Sequence, residues 1–315
     1  MGRLVTLFQL LNKPSWRAFT SPGGSVLLRG LAYVLPSIPG HLGAAVLDLS
    51  ASGHHTYVVG QDGRLVRFGV RKAREIPEGL PPVVTVSTSH RHTCAVQVDG
   101  QLSCFGWNQY GQCDVPEDLG LVTAASAGDK HTCAVTAIGE LVCFGLAKFC
   151  QVPDKLGPVL SVSAGTTHTC AIQTSGMLLC FGAGGREIQT PTELERVVAV
   201  SAGQEHTCAV GTAGNLICFG ANSFGQCDVP GDIGAVLAVS AGVAHTCAIC
   251  VDGRLVCFGR NHAGQCNVPD DLGAVLAVAV GSGHTCALRA DGRLTCFGGN
   301  KWAECDVPPS LNPKP

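Results

Sequence analysis

Histidine and cysteine recur together along this chain, and they are the residues best able to do chemistry. The triplet His-Thr-Cys stands at 92–94, 131–133, 168–170, 206–208, 245–247 and 284–286. On an extended strand the first and third residues of such a triplet project to one face, as two zinc ligands would. Six equivalent sites would need ligands converging from several strands, yet no closely spaced cysteine couple occurs beyond Cys247 and Cys250. The histidines are therefore read as structural, hydrogen-bonding a neighbouring backbone, with no metal and no cofactor.

The cysteines divide into three classes. Twelve of the eighteen form six couples ten residues apart: Cys94 and Cys104, Cys133 and Cys143, Cys170 and Cys180, Cys208 and Cys218, Cys247 and Cys257, and Cys286 and Cys296. The turn between the two members of a couple keeps only its glycine (Gly100, Gly139, Gly176, Gly214, Gly253, Gly292). A two-residue type I′ turn would demand positive φ of Ile138 as well, so a three-residue loop closed by the glycine fits better, and it sets each couple face to face. In an oxidising compartment each couple could close a disulfide worth up to roughly 2–3 kcal/mol, and in a reducing one both members are small buried hydrophobes. The first repeat replaces both together, with Tyr57 and Arg67. Cys113, Cys150, Cys227, Cys266 and Cys305 precede a Val-Pro step and Cys250 stands alone, so six have no obvious mate. That surplus argues for a reducing interior, cytoplasmic or nuclear, while organelle and secreted settings stay open.

What must position these residues is a repeat. His-Thr recurs at His55, His92, His131, His168, His206, His245 and His284, so seven units follow one another at 37 to 39 residues. Each reads as an apolar alternating strand, a short connection, a strand opened by His-Thr, a glycine turn, a third strand ending in Phe-Gly, and a loop. No such unit can bury its own apolar face, so the expected fold class is all-β: a seven-bladed β-propeller with blades of three to four short antiparallel strands. The expected organisation is an N-terminal segment at 1–43, the propeller at 44–308 and a tail at 309–315. The first segment carries Arg3, Lys13, Arg17 and Arg29 with no acid before Asp48. It reads as a degenerate closing hairpin, which could extend to an irregular eighth blade, or as a targeting segment.

Composition limits the partners. A net charge of −2 and 14% charged residues leave no electrostatic footprint for nucleic acid. Apolar runs are too short for a membrane span, and the chain is read as a monomer with a protein partner. Positions that vary between repeats fall into two sets. The first, between strands one and two (His90-Arg91, Asp129-Lys130, Gln204-Glu205 and their counterparts), lacks aromatic anchors. The second follows Phe-Gly and holds Trp107, Tyr110, Phe149, Arg186, Phe224, Arg260, His262 and Trp302, the aromatic and arginine mixture of a binding patch. Tyr110, Phe224 and Trp302 share one slot and could equally wedge against the next blade. No nucleophile elbow, phosphate loop or zinc-protease helix is present, so the chain is expected not to be an enzyme.

The string Ser240-Ala241-Gly242, His245-Thr246-Cys247-Ala248, Asp252-Gly253-Arg254-Leu255, Cys257-Phe258-Gly259, Asn261, Gly264-Gln265 resembles a regulator of chromosome condensation repeat, and the likeness spans about residues 44 to 308. The short unit and its Gly-Gln-x-x-Val-Pro ending are similar to the compact branch that includes a secreted bacterial β-lactamase-inhibitor propeller. The resemblance implies a recognition scaffold, with two alternatives: a guanine nucleotide exchange factor or small-GTPase regulator, and a secreted inhibitor or lectin-like binder. The exchange-factor wedge has no counterpart here, since unit spacing never exceeds 39 residues. No ubiquitin-ligase domain, to which some relatives are fused, is expected after the propeller.

Overall fold

Strands of mostly five to seven residues, separated by short turns and loops rich in glycine and proline, pair within a unit and stack between units. The computed structural model describes residues 46–312 apart from 71–74, 183–184 and 186. The sheets, numbered as blades 1 to 7, begin with Val46–Ser52, His55–Gly60 and Leu65–Gly69, then Val83–Thr88, His92–Gln97 and Leu102–Gly106. Blades 3 and 4 follow at Val122–Ala127, His131–Thr136 and Leu141–Gly145, and at Val159–Ala164, His168–Gln173 and Leu178–Gly182. Blades 5 to 7 open with Val197–Ala202, Val236–Ala241 and Val275–Val280. Every blade is an antiparallel meander, and among the described residues only blade 4 gains a fourth strand, Glu187–Ile188.

The turn between strands two and three is the three-residue form. Gln97 N–H donates to Gln101 O and Gly100 N–H to Gln97 O, with Gly100 at φ 87°. Ile138 keeps a negative φ, because the only non-glycine with positive φ among the described residues is Ala303.

Apolar cores sit between blades, not within them. Val58 and Phe68 of blade 1 pack with Cys286, Leu288 and Leu294 of blade 7, so the ring closes by direct contact of first and last blades. That contact leaves no gap between them for an eighth sheet. Leu311 of the tail joins the same cluster, and Asn312 brackets Leu294 by accepting from its N–H and donating to its carbonyl, at 2.7 and 3.1 Å. The segment at 1–43 lies outside the described residues.

The glycine ending the third strand is hemmed in by its own blade and by the loop of the preceding one, closely enough to forbid a Cβ. At Gly259, φ is 104° and an added Cβ would sit 2.7 Å from Ala244 O, 2.9 Å from His245 Cα and 3.0 Å from Gln226 Cα, all backbone atoms. Positive φ and overpacking together should make Gly259→Ala destabilising by about 3 kcal/mol or more. Urea midpoints would check this; a loss below about 1 kcal/mol would mean that the neighbouring loop yields freely.

Candidate functional site

The repeated histidines bridge blades. Nε2 of each reaches a threonine Oγ1 of the next blade: His92 to Thr132 at 2.6 Å, His131 to Thr169 and His168 to Thr207 at 2.9 Å. His206 to Thr246 (2.9 Å), His245 to Thr285 (3.1 Å) and His284 to Thr56 (3.0 Å) continue the series across the closure. His55 differs slightly, meeting Thr88 at 3.0 Å, because blade 2 has threonine where other blades have alanine or valine. Seven blades are thus joined by seven histidine–threonine bonds, to a side chain of the neighbouring blade and not to the backbone partner expected from sequence.

The proton on three of these rings, His92, His206 and His245, can be placed. Thr132, Thr246 and Thr285 donate to the carbonyls of Gln112, Gln226 and Gln265 at 2.7, 2.9 and 2.9 Å. Each hydroxyl must then accept from histidine, so Nε2 carries the hydrogen and Nδ1 the lone pair. Burial holds five of the seven rings neutral: it lowers His131 and His245 to about 3 and His168, His206 and His284 to about 4, with neighbouring histidine charges adding to the effect at His131, His206 and His245. Among the described residues no three His, Cys, Asp or Glu side chains converge as a metal site would need.

The couples face one another in the register the turn dictates, as in Cys94 opposite Cys104 and Cys133 opposite Cys143. Five of the six are closed as disulfides, Cys133–Cys143, Cys170–Cys180, Cys208–Cys218, Cys247–Cys257 and Cys286–Cys296. Cys94 and Cys104 remain thiols. Burial opposes ionisation of this pair, but the Cys104 hydrogen bond and His92 hold Cys94 low, while burial and Cys94 push Cys104 up.

The six unmated cysteines do have partners. Cys113, Cys150, Cys227, Cys266 and Cys305 donate to the carbonyls of Trp107, Leu146, Ala221, Arg260 and Gly299 at 3.3 to 3.6 Å, and Cys250 donates to Ile233 O at 3.3 Å. Burial raises Cys150, Cys227, Cys266 and Cys305 to about 11, so these thiols are unreactive loop staples.

The loop after the third strand is built by Asn-x-x-Gly-Gln-Cys in blades 2, 5 and 6, and by the related Asn-x-x-Ala-Glu-Cys in blade 7. Asn108 Oδ1 accepts from Cys113 N–H at 2.7 Å, and buried Gln112 accepts from Tyr110 N–H at 3.0 Å. Asn222 and Gln226 repeat the pattern around Phe224. Glu304 replaces glutamine around Trp302 and also pairs with His54 of blade 1 at 2.9 Å. This frame presents Tyr110, Phe224 and Trp302 as exposed side chains, not as wedges. Phe149 is different: it is buried beside the His131 ring, 5.6 Å between centroids, and offers no surface. Arg260 lies 5.3 Å over Phe224, whose other neighbour is His262 at 6.5 Å. Arg186 lies outside the described residues.

The two variable sets, separate in sequence, occupy one face. His92 pairs with Gly106, so the connection before strand two and the loop after strand three leave the same end of the blade. At blades 2 and 3 they merge into a cluster. Arg91 stacks 4.3 Å above Trp107, which meets Tyr110 edge-on at 5.2 Å, and Lys130 of the next blade sits 5.6 Å from the Tyr110 ring. Asp129 orients Arg91 through a 3.0 Å bond. The partnership of Arg91 with Trp107 was hidden because it depends on strand register, which the three-residue turn could have shown; that of Lys130 with Tyr110 crosses a blade boundary and had no signal in the sequence. At the centre of this face, residues from all seven blades ring a cavity of about 70 Å³, well short of the roughly 300 Å³ of a metabolite site.

Comparison with known proteins agrees with this architecture. The family model described as the regulator of chromosome condensation (RCC1) repeat matches residues 83–112, 122–149, 197–226, 236–265 and 275–301. No curated protein matches by sequence. Among solved structures, the ectodomain of the Physcomitrella patens receptor kinase CR4 is 22% identical with a TM-score of 0.66, over 80% of this chain and 72% of that one. Prp20p of Saccharomyces cerevisiae is 18% identical with a TM-score of 0.63, over 72% of this chain and 74% of that one. Human WBSCR16 is 16% identical with a TM-score of 0.66, over 78% of this chain and 87% of that one. At these identities the likeness is one of fold. No helix among the described residues is long and apolar enough to cross a membrane.

Proposed function

This chain is an RCC1-repeat propeller, and on that premise we propose that it is a protein-binding scaffold whose partner docks on the loop face at blades 2 and 3. The observation that carries the reading is the cluster of Arg91, Trp107, Tyr110 and Lys130, which places large rigid aromatic surface beside cations on one exposed patch. The Prp20p structure is described with its binding to Gsp1p and histones, which is consistent with a propeller of this kind serving recognition.

Replacing Trp107 and Tyr110 together by alanine should weaken partner capture by about 100-fold or more, the scale expected of two interface anchors. The melting temperature should shift little, since neither ring lies in an inter-blade core. Capture that survives the double change while the Phe224→Ala variant loses it would move the site to blade 5. Stimulated nucleotide release from a small GTPase would instead make the scaffold a GTPase regulator.

A second reading, the extracellular binder, gains support from the five disulfides, since closed couples are what an oxidising setting requires. Thiol counting on protein taken from its own cells separates the compartments.

A further inference from the structure

We propose that the acid-free segment ending at residue 45 docks on an apolar sector of the opposite face, across blades 2 to 4. That face is made of the turns between strands two and three and the starts of the first strands. Seven copies of one turn allow a direct comparison. Blades 1, 6 and 7 carry Asp62-Gly63-Arg64, Asp252-Gly253-Arg254 and Asp291-Gly292-Arg293, with Asp62 and Asp252 paired to the arginine of their own turn at 3.6 and 2.6 Å. Blades 2 to 5 carry no arginine in the turn itself; blades 2 to 4 expose Val98, Leu121, Ile138 and Met177 at 67, 57, 82 and 52%, and the Arg196 stem lies against Gly176 at the blade 4 end.

These side chains form a row. Leu121 lies against the Gly100 turn, its carbonyl accepts from Ala137 N–H beside Ile138, and Pro158 lies against Gly139 while its carbonyl accepts from Thr174 N–H. Beside Ile138 the row opens into a groove of about 440 Å³, floored by Leu141, Val152 and Leu156 and edged by Glu140 and Asp154. A contiguous apolar strip confined to three of seven equivalent positions marks a covered surface.

Three observations select the occupant. Val46 pairs with Gly60, one residue before the Gln61-Asp62 turn, so the preceding chain arrives on this face. Its 45 residues can span well over 100 Å at about 3.3 Å each, ample to cross from blade 1 to blade 4. The segment is rich in leucine and valine, as in Val26-Leu27-Leu28 and Val34-Leu35, and has Arg3, Lys13, Arg17 and Arg29 but no carboxylate, which complements Glu140 and Asp154. This docking is independent of the partner site on the loop face.

The test uses the full chain with Ile138→p-benzoylphenylalanine, irradiated and digested. The expected product is a monomer in which position 138 is joined to a peptide from residues 1–45, with no such product from the same probe at Asp252. A dimeric product would assign the sector to a second copy and overturn the proposal, as would a monomer joined only to propeller peptides or left unjoined. In a second measurement, Ile138→Asp with Met177→Asp, both largely exposed, should speed tryptic cleavage after Arg17 and Arg29 about tenfold or more at unchanged melting temperature. An unchanged cleavage rate would also overturn it.

Discussion

Lowering the pH from 7 to 4 should unfold this propeller, with the loss beginning near pH 6.5. Burial holds five inter-blade histidines at about 3 or 4, whereas an unfolded chain releases them to the ordinary value of 6.5. Between those values the unfolded state binds protons that the folded state refuses, so stability falls as pH falls. Each histidine contributes a slope of about 1.4 kcal/mol per pH unit, and the five together roughly 7. One unit of acidification thus removes about as much as a domain's net stability of roughly 5–15 kcal/mol. The physical cause is specific: at His206 and His245 Nε2 already donates to threonine, so a second proton must sit on Nδ1, which has no hydrogen-bond partner among the described residues. Urea midpoints at pH 7, 6 and 5 should decline in step, and a midpoint constant over that range would show that the rings are not held neutral.

Reduction should be the second large effect. Protein isolated under oxidising conditions and denatured without reductant should expose eight alkylatable thiols, because ten of the eighteen cysteines are paired. Each bond closes a hairpin whose ends lie ten residues apart, worth about 3 kcal/mol by loop entropy and roughly 10–15 for the five, since the loops do not overlap. Even a third of that should lower the melting temperature by about 6–10 °C for a domain this size. Eighteen labelled thiols before any reductant, or a melting temperature indifferent to reduction, would refute the paired state.

The sequence was informative wherever the code is local and repeated. The spacing of His-Thr set the number of blades, the lone invariant glycine set the turn type, and the turn type set Cys94 opposite Cys104 and its counterparts. The loop framework was half legible. Asn108, Gln112 and Cys113 recur visibly, yet a recurring cysteine reads as an unmated thiol until its carbonyl partner six residues back is seen. Phe149 illustrates the reverse error, an aromatic in a variable loop that a short helical turn carries inward against His131.

What the sequence determined by itself was the unit: strand lengths, turn, register and the facing cysteines, all properties of residues within about ten positions of one another. What only the tertiary structure decided was everything that passes between units. His92 meets Thr132 and Lys130 meets the Tyr110 ring, contacts spanning 40 and 20 positions, across a blade boundary. Periodicity announces that blades stack but not by how much each is rotated against its neighbour. That rotation is fixed by inter-blade packing and hydrogen bonds, so it alone decides which variable side chains share a face.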